Sequence, residues 1–239
     1  MTCIIFGALG GIGNALTNRM LEAGHEAYLV VRRPQDIARL EKSLPFRGGH
    51  FHSYACDMSS LSEIEKVTAM ILQTAKAIDF MVNCVGVLGP QDVIHETSLA
   101  DWTHVMKVNL DATFLVMRMV LPTLLDNRRG IIMNLTSNRA KYFRPCSSAY
   151  SVSKFAVEAL TNIADLESKD YGVRCLAVNP GRVATEMRRL AAPDEEPDSI
   201  TSPQAFAEFC FRLLTHGDYM MLPCSIDFSS FQFPSRKDN

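Results

Sequence analysis

Short apolar runs alternate with amphipathic stretches from one end of the chain to the other. Residues 2–6, 27–31, 80–85, 130–135 and 173–178 are runs of five or six residues that are almost continuously apolar, as expected of strands buried on both faces. Residues 51–55, with His52 and Ser53, make a weaker third strand, and residues 219–222 are the expected last one. Residues 14–23, 61–77, 99–125, 148–169 and 204–214 carry helical spacing; in the first of them Leu16 and Met20 share a face and Gly24 follows as a stop. Alternation of this kind predicts an α/β fold, a single doubly wound domain whose mostly parallel seven-stranded sheet has helices on both faces. Residues 188–203 are the one long irregular stretch, with Pro193, Pro197, Pro203 and four acids. They come too late to divide the chain. Residues 1–239 are therefore expected to form one domain, with 186–203 a mobile loop over the substrate.

Composition removes several function classes. A net charge of −2, from 24 basic and 26 acidic residues, gives no bulk attraction to nucleic acid or to an anionic membrane. At 47% hydrophobic and 21% charged residues, disorder is excluded. A chain of 239 residues buries roughly three quarters of its unfolded surface and needs no staple. Its seven cysteines are odd in number, scattered and without CxxC spacing, which predicts free thiols and a cytoplasmic location. The start of the chain lacks a basic stretch before an apolar run, so no signal peptide is expected. The best membrane candidate, residues 114–125, is broken by Arg118 and Pro122, so no membrane span is expected either. His50 and His52 share a strand face but lack a third ligand, so no metal is expected.

The candidate chemistry begins where the first strand ends. Gly7, Gly10, Gly11 and Gly13 fill the turn between a strand and a helix. Side chains there would hold the backbone away from a pyrophosphate, and the helix start offers free N–H groups and a positive dipole end. This context points to a dinucleotide site. A site for NAD(H) usually places an acid about 20 residues further on, whereas this chain reads Val31-Arg32-Arg33. Two guanidinium groups suit a 2′-phosphate, so NADP(H) is expected over NAD(H). Asp57 follows the third strand, where an adenine amino group or a helix cap could use it, and Gly86 follows the fourth.

Tyr150 and Lys154 are four apart at the start of a predicted helix, on one face. A phenol needs a drop of roughly three pKa units to act near neutrality, and one nearby cation supplies roughly one to three. Thr136 and Ser137 provide hydroxyls at the end of the preceding strand.

Together these motifs resemble the short-chain dehydrogenase/reductase family. Gly7-x3-Gly11-x-Gly13 is similar to its cofactor loop. Asn83-Cys84-Val85-Gly86 is similar to its Asn-Asn-Ala-Gly strand end, and Lys107-Val108-Asn109-Leu110 to its mid-helix asparagine segment. Ser137 lies thirteen residues before Tyr150, and Asn179-Pro180-Gly181 precedes Thr185 as in the family. The motifs occur in order over residues 3–185.

The resemblance implies a Rossmann-type fold and a catalytic set of Ser137, Tyr150, Lys154 and Asn109. Tyr150 would exchange a proton with the substrate oxygen, and Lys154 would lower its pKa and hold the nicotinamide ribose. Ser137 would polarise the substrate, and Asn109 would hold a water in a relay to Lys154. Cofactor contacts would come from Gly7, Leu9, Gly10, Gly11, Ile12, Gly13, Arg32, Arg33, Asp57, Met58, Asn83, Gly86, Tyr150, Lys154, Pro180, Gly181, Val183 and Thr185. The implied activity is NADPH-dependent reduction of a carbonyl to an alcohol, or the reverse, on a small molecule. The implied assembly is a homodimer or homotetramer through helices 99–125 and 148–169. A cofactor-binding regulatory protein without turnover is the alternative, and the intact catalytic positions argue against it.

Three departures stand out: Phe6 replaces the family's threonine before the loop, Asn-Cys-Val-Gly is bulkier than usual, and the common Asp-Gly-Gly ending is missing. Arg139, Lys141, Arg144, Arg188 and Arg189 flank the expected mouth, where they permit an anionic substrate without requiring one.

Overall fold

The computed structural model describes residues 1–44 and 50–233. The elements are β1 (Thr2–Phe6), α1 (Gly11–Glu22), β2 (Glu26–Val31), α2 (Pro34–Ser43), β3 (Phe51–Ala55), α3 (Leu61–Thr74) and β4 (Phe80–Asn83). Then follow α4 (Leu99–Met106), α5 (Ala112–Asp126), β5 (Gly130–Leu135), α6 (Ser148–Ser168), β6 (Val173–Asn179), α7 (Glu186–Ala191), α8 (Pro203–Leu214) and β7 (Ser225–Asp227). One seven-stranded sheet runs β3-β2-β1-β4-β5-β6-β7, with every neighbouring pair parallel. Strand order reverses at β1 and β4, which opens a crevice beyond their carboxyl ends.

Period-two alternation gives the sheet two cores. Cys3 and Ile5 of β1 face α1 and α8, packing with Leu16, Met20, Phe206 and Leu213. Ile4 and Phe6 face the other way, toward Ile64 and Ile71 of α3 and Val116 and Val120 of α5. Phe6 is thus a fully buried core residue. The glycine turn after it is held by backbone instead: Gly7 and Ala8 N–H both donate to Val30 O, at 2.9 and 3.1 Å, and Cys84 N–H donates to Phe6 O at 3.0 Å.

Several elements differ from the sequence reading. Helix α2 was not anticipated; Pro34 opens it and buried Leu40 anchors it. Pro122 does not break α5, because the carbonyl it deprives of a donor, that of Arg118, lies at an exposed position. Leu99–Asp126 is one 28-residue helix, long and apolar enough to cross a membrane by composition. Val105, Val108, Val116, Val120 and Leu124 of it are buried, so it serves as a core helix. The last strand is not 219–222 but Ser225–Asp227. Residues Tyr219–Met221 form a 3-10 turn whose carbonyls face Arg174, and Pro223 has no N–H for a ladder. Part of the stretch read as irregular is helix α7, and Val183 bridges to Thr201 at its base.

Arg174 is a buried cation within β6. Its Nε and Nη2 donate to Asp165 Oδ1 and Oδ2 at 2.7 and 3.1 Å, and Nη1 donates to Met220 O at 2.6 Å. Cys175 N–H adds a bond to Asp165 Oδ1 at 2.9 Å. Removing one partner strands the other in the interior, whereas removing both does not. Asp165→Ala is expected to cost about 3–5 kcal/mol in urea unfolding, and Asp165→Leu combined with Arg174→Met much less. Additive losses in the double variant would contradict a coupled buried pair.

Candidate active site

A cavity of ≈ 560 Å³ lies over the carboxyl ends of β1, β2, β4, β5 and β6. The glycine turn forms its floor. Gly7 has φ +79°, a conformation that L side chains rarely adopt, and a Cβ on Gly13 would sit 2.2 Å from Gly7 O. Gly10 caps α1 without a side-chain bond, and the first turn carries no acid. The helix start is therefore open to an anion. A dinucleotide fits this cradle, since the groups it needs there are main-chain N–H groups without competing side chains.

At the β2 end, the two predicted arginines have different settings. Arg33 donates to Asp36 through Nε and Nη2, at 3.0 and 3.2 Å. Arg32 Nε is 3.8 Å from Asp57 Oδ2 and largely exposed. Arg39, from the unanticipated α2, lines the same end of the cavity. Asp57 Oδ1 accepts from Ser59 N–H and Oγ, at 2.9 and 2.8 Å, and these bonds outweigh burial to lower its pKa. Ser60, not Asp57, caps α3. Met58, Gly86, Pro180, Gly181, Val183 and Thr185 also line the cavity, as do Leu9 and Ile12. Thr185 Oγ1 accepts from Arg188 N–H to cap α7.

Asn83 is not in the wall. It is buried behind it, accepting from Val85 N–H at 3.0 Å and donating to Thr113 Oγ1 at 2.8 Å. Asn109 is also absent from the wall and is buried. It sits in a π-turn, Lys107–Asp111, that joins α4 to α5. Its Oδ1 accepts from Val87 N–H at 2.8 Å, and its Nδ2 donates to Val87 O at 3.0 Å and to Ser153 Oγ at 2.9 Å. Ser153 Oγ donates in turn to Tyr150 O at 2.8 Å. The asparagine thus joins the strand-end turn to the helix of Tyr150.

Tyr150, Ser137 and Lys154 line the cavity together. Burial raises the Tyr150 pKa, against smaller lowering effects from the Ser137 hydroxyl and the Arg139 charge. The cation expected to dominate, Lys154, has its Nζ 5.9 Å from the Tyr150 ring centroid and donates to Leu135 O at 2.9 Å. Lys154 itself is buried and pulled down to about 8 by loss of solvent. Residues that sequence reading missed include Arg39 and His104, both in the wall. Helical spacing from Asp36 to Arg39 was the available signal for the first; nothing in the sequence marked the second.

A Rossmann-type sheet, a glycine cradle at its switch point and a Ser–Tyr–Lys cluster beside it define a dinucleotide-dependent oxidoreductase. Residues 1–196 match the short chain dehydrogenase family, and the chain belongs to it. It is 32% identical over 191 residues to 2,3-dihydro-2,3-dihydroxybenzoate dehydrogenase of Bacillus subtilis (strain 168), covering 80% of this chain and 73% of that one. A metagenomic short-chain oxidoreductase solved in complex with NADP superposes with a TM-score of 0.81 at 26% identity, over 94% of this chain and 95% of that one. The 3-oxoacyl-[acyl-carrier protein] reductase of Brucella melitensis ATCC 23457 gives 0.82 at 26%, over 95% and 89%. The chain is accordingly an NAD(P)-dependent enzyme that interconverts carbonyl and alcohol groups.

The Lys154 environment has a measurable consequence. Its folded pKa is below the unfolded 10.5, so charge burial weakens the fold below pH 8, by up to about 3 kcal/mol, and the penalty fades as pH rises from 8 to 10.5. Buried thiols such as Cys56 and Cys175, raised to about 12, act oppositely above their ordinary pKa of 9. The clean window is therefore pH 7.5 to 9. Without added nucleotide, urea stability of the parent should gain about 1 kcal/mol over Lys154→Met across that window. Parallel pH profiles would contradict the buried charge.

Proposed function

We propose that this enzyme is an NADPH-dependent carbonyl reductase using Ser137, Tyr150 and Lys154, and that the buried Tyr150 phenol beside Ser137 is the observation that carries the reading. When bound, the nicotinamide cofactor would supply the hydride that this reduction needs. Tyr150 gives its hydroxyl proton to the carbonyl oxygen, and burial favours the protonated phenol that this donation requires. Ser137 holds the same oxygen. Lys154 orients the cofactor ribose and returns a proton to Tyr150. Asn109 positions the Gly86–Val87 backbone against Lys154; a Cβ on Gly86 would meet Lys154 Nζ at 3.3 Å and Asn109 Oδ1 at 3.6 Å. In the reverse direction the same groups remove the proton from an alcohol.

Preference for NADPH rests on Arg32, Arg33 and Arg39 gathered at the β2 end, and on the metagenomic relative's NADP. A 2′-phosphate would share Arg33 with Asp36 and take Arg32 outright. Residues 186–203 are our candidate for the substrate cover, with Met187 and Ala191 of α7 already in the wall. We read the exposed Phe114, Phe155, Ile163 and Leu166 on α5 and α6 as support for a homodimer or homotetramer. The seven free thiols support a cytoplasmic location.

Tyr150→Phe should lower kcat by about 100-fold or more while the NADPH Kd, read by fluorescence, stays within about twofold. Retention of most activity would sink the mechanism. Arg32→Ala should raise the NADPH KM by about 10-fold and leave that for NADH unchanged; equal losses with both nucleotides would refute the phosphate assignment.

A further inference from the structure

Arg139 stands apart from the other cations around the cavity. Its backbone is fixed from three sides. Arg139 N–H donates to Ser137 Oγ at 3.2 Å. On one flank, Asn138 Oδ1 accepts from Asn179 Nδ2 at 2.6 Å. On the other, Lys141 Nζ donates to Asp227 Oδ2 at 2.9 Å, and Asp227 Oδ1 accepts from Asn179 Nδ2 at 2.6 Å. One network from β6 and β7 therefore pins the turn, and Ser137 and Arg139 are set relative to each other.

The Arg139 side chain lines the cavity beside Ser137 and Tyr150, half buried. Arg188, across the same end, is neutralised by Glu195, with Nη2 2.6 Å from Oε1. Arg139 has no carboxylate within 4.0 Å among the described residues. Burial, then the charge of Arg144 and that of the Glu195-paired Arg188, disfavour its own charge. A half-buried guanidinium facing like charges is unfavourable until an anion joins it.

Taking the carbonyl-reductase reading as its basis, we propose that Arg139 determines specificity by binding a carboxylate on the carbonyl substrate while the carbonyl sits at Ser137 and Tyr150. A planar guanidinium pairs with a carboxylate through two parallel bonds, which fixes direction as well as charge. The cofactor pyrophosphate is a poorer match for this cation. It belongs at the glycine turn after β1, whereas Arg139 follows β5, two strands away and about 10 Å across the sheet.

The test compares 4-carboxybenzaldehyde with its neutral methyl ester, using NADPH and the full chain. The parent should favour the acid in kcat/KM by about 10-fold or more, a preference that shrinks as NaCl rises. Arg139→Gln should collapse the acid-to-ester ratio through KM, and Arg139→Lys should keep part of it. An unchanged ratio in Arg139→Gln, or a loss that appears in the NADPH KM instead, overturns the proposal. Should the parent turn over neither aldehyde, the reductase reading is what suffers. Arg139 is then judged by benzoate binding to the NADPH-loaded protein, expected in the parent and weakened at least about 10-fold in Arg139→Gln; equal binding by both overturns it.

Discussion

A buried ammonium group with no carboxylate partner among the described residues governs the architecture of the site. Lys154 has lost nearly all of its solvent and donates to the carbonyl of Leu135 at the end of β5. An uncompensated charge in such a place is expensive, so it persists only where surrounding structure holds it. That structure is the chain from Val87 through Asn109 to Ser153 and the Tyr150 backbone, which clamps α6 to the turn after β4. The π-turn at Lys107–Asp111 lies where Asn109 enters this clamp, and π-turns of this kind recur at functional positions.

A second network does for the β5 turn what Asn109 does for the β4 turn. Asn179, at the end of β6, bonds to Asn138 and Asp227 and accepts from Gly181 N–H at 3.0 Å. Asp227 lies on β7, and the segment before that strand is held by Arg174 from within β6. The buried Asp165–Arg174 pair, at the end of β6 opposite Asn179, thus supports the strands that hold the Ser137–Arg139 turn. Stability and site geometry share residues here.

Much of this was legible in the sequence because parallel strands buried on both faces read as continuous apolar runs, and glycines at a crowded turn have few substitutes. Six of the seven strands fall where the apolar runs predicted. β7 was misplaced because three residues pairing with only one neighbour leave almost no pattern, and because the nearby run 219–222 is apolar for another reason: Leu222 is buried in the core and Tyr219 packs against it. Helix α2 was missed because Asp36 and Leu40 are its only buried positions. Within the site, Gly7, Ser137, Tyr150 and Lys154 were readable from motif spacing. Asn83 and Asn109 were readable as important but not as residues behind the wall, since spacing says nothing about which partner an amide chooses. Arg39 depended on a helix that the pattern did not announce.

The β2 end shows how such pairing changes the meaning of a motif. Arg32 and Arg33 look equivalent in sequence, yet the bidentate bonds to Asp36 make Arg33 the less available of the two. Asp36 is itself buried, so it cannot simply turn to water if Arg33 is drawn away. An incoming phosphate would have to join an existing ion pair there, while Arg32 faces only a 3.8 Å contact with Asp57. Because Asp57 already has its Oδ1 engaged by Ser59, its remaining oxygen is the one turned toward Arg32. The short run of two arginines therefore divides its labour: Arg33 braces the entry to α2, which carries Arg39 to the cavity, and Arg32 is left with the freer charge.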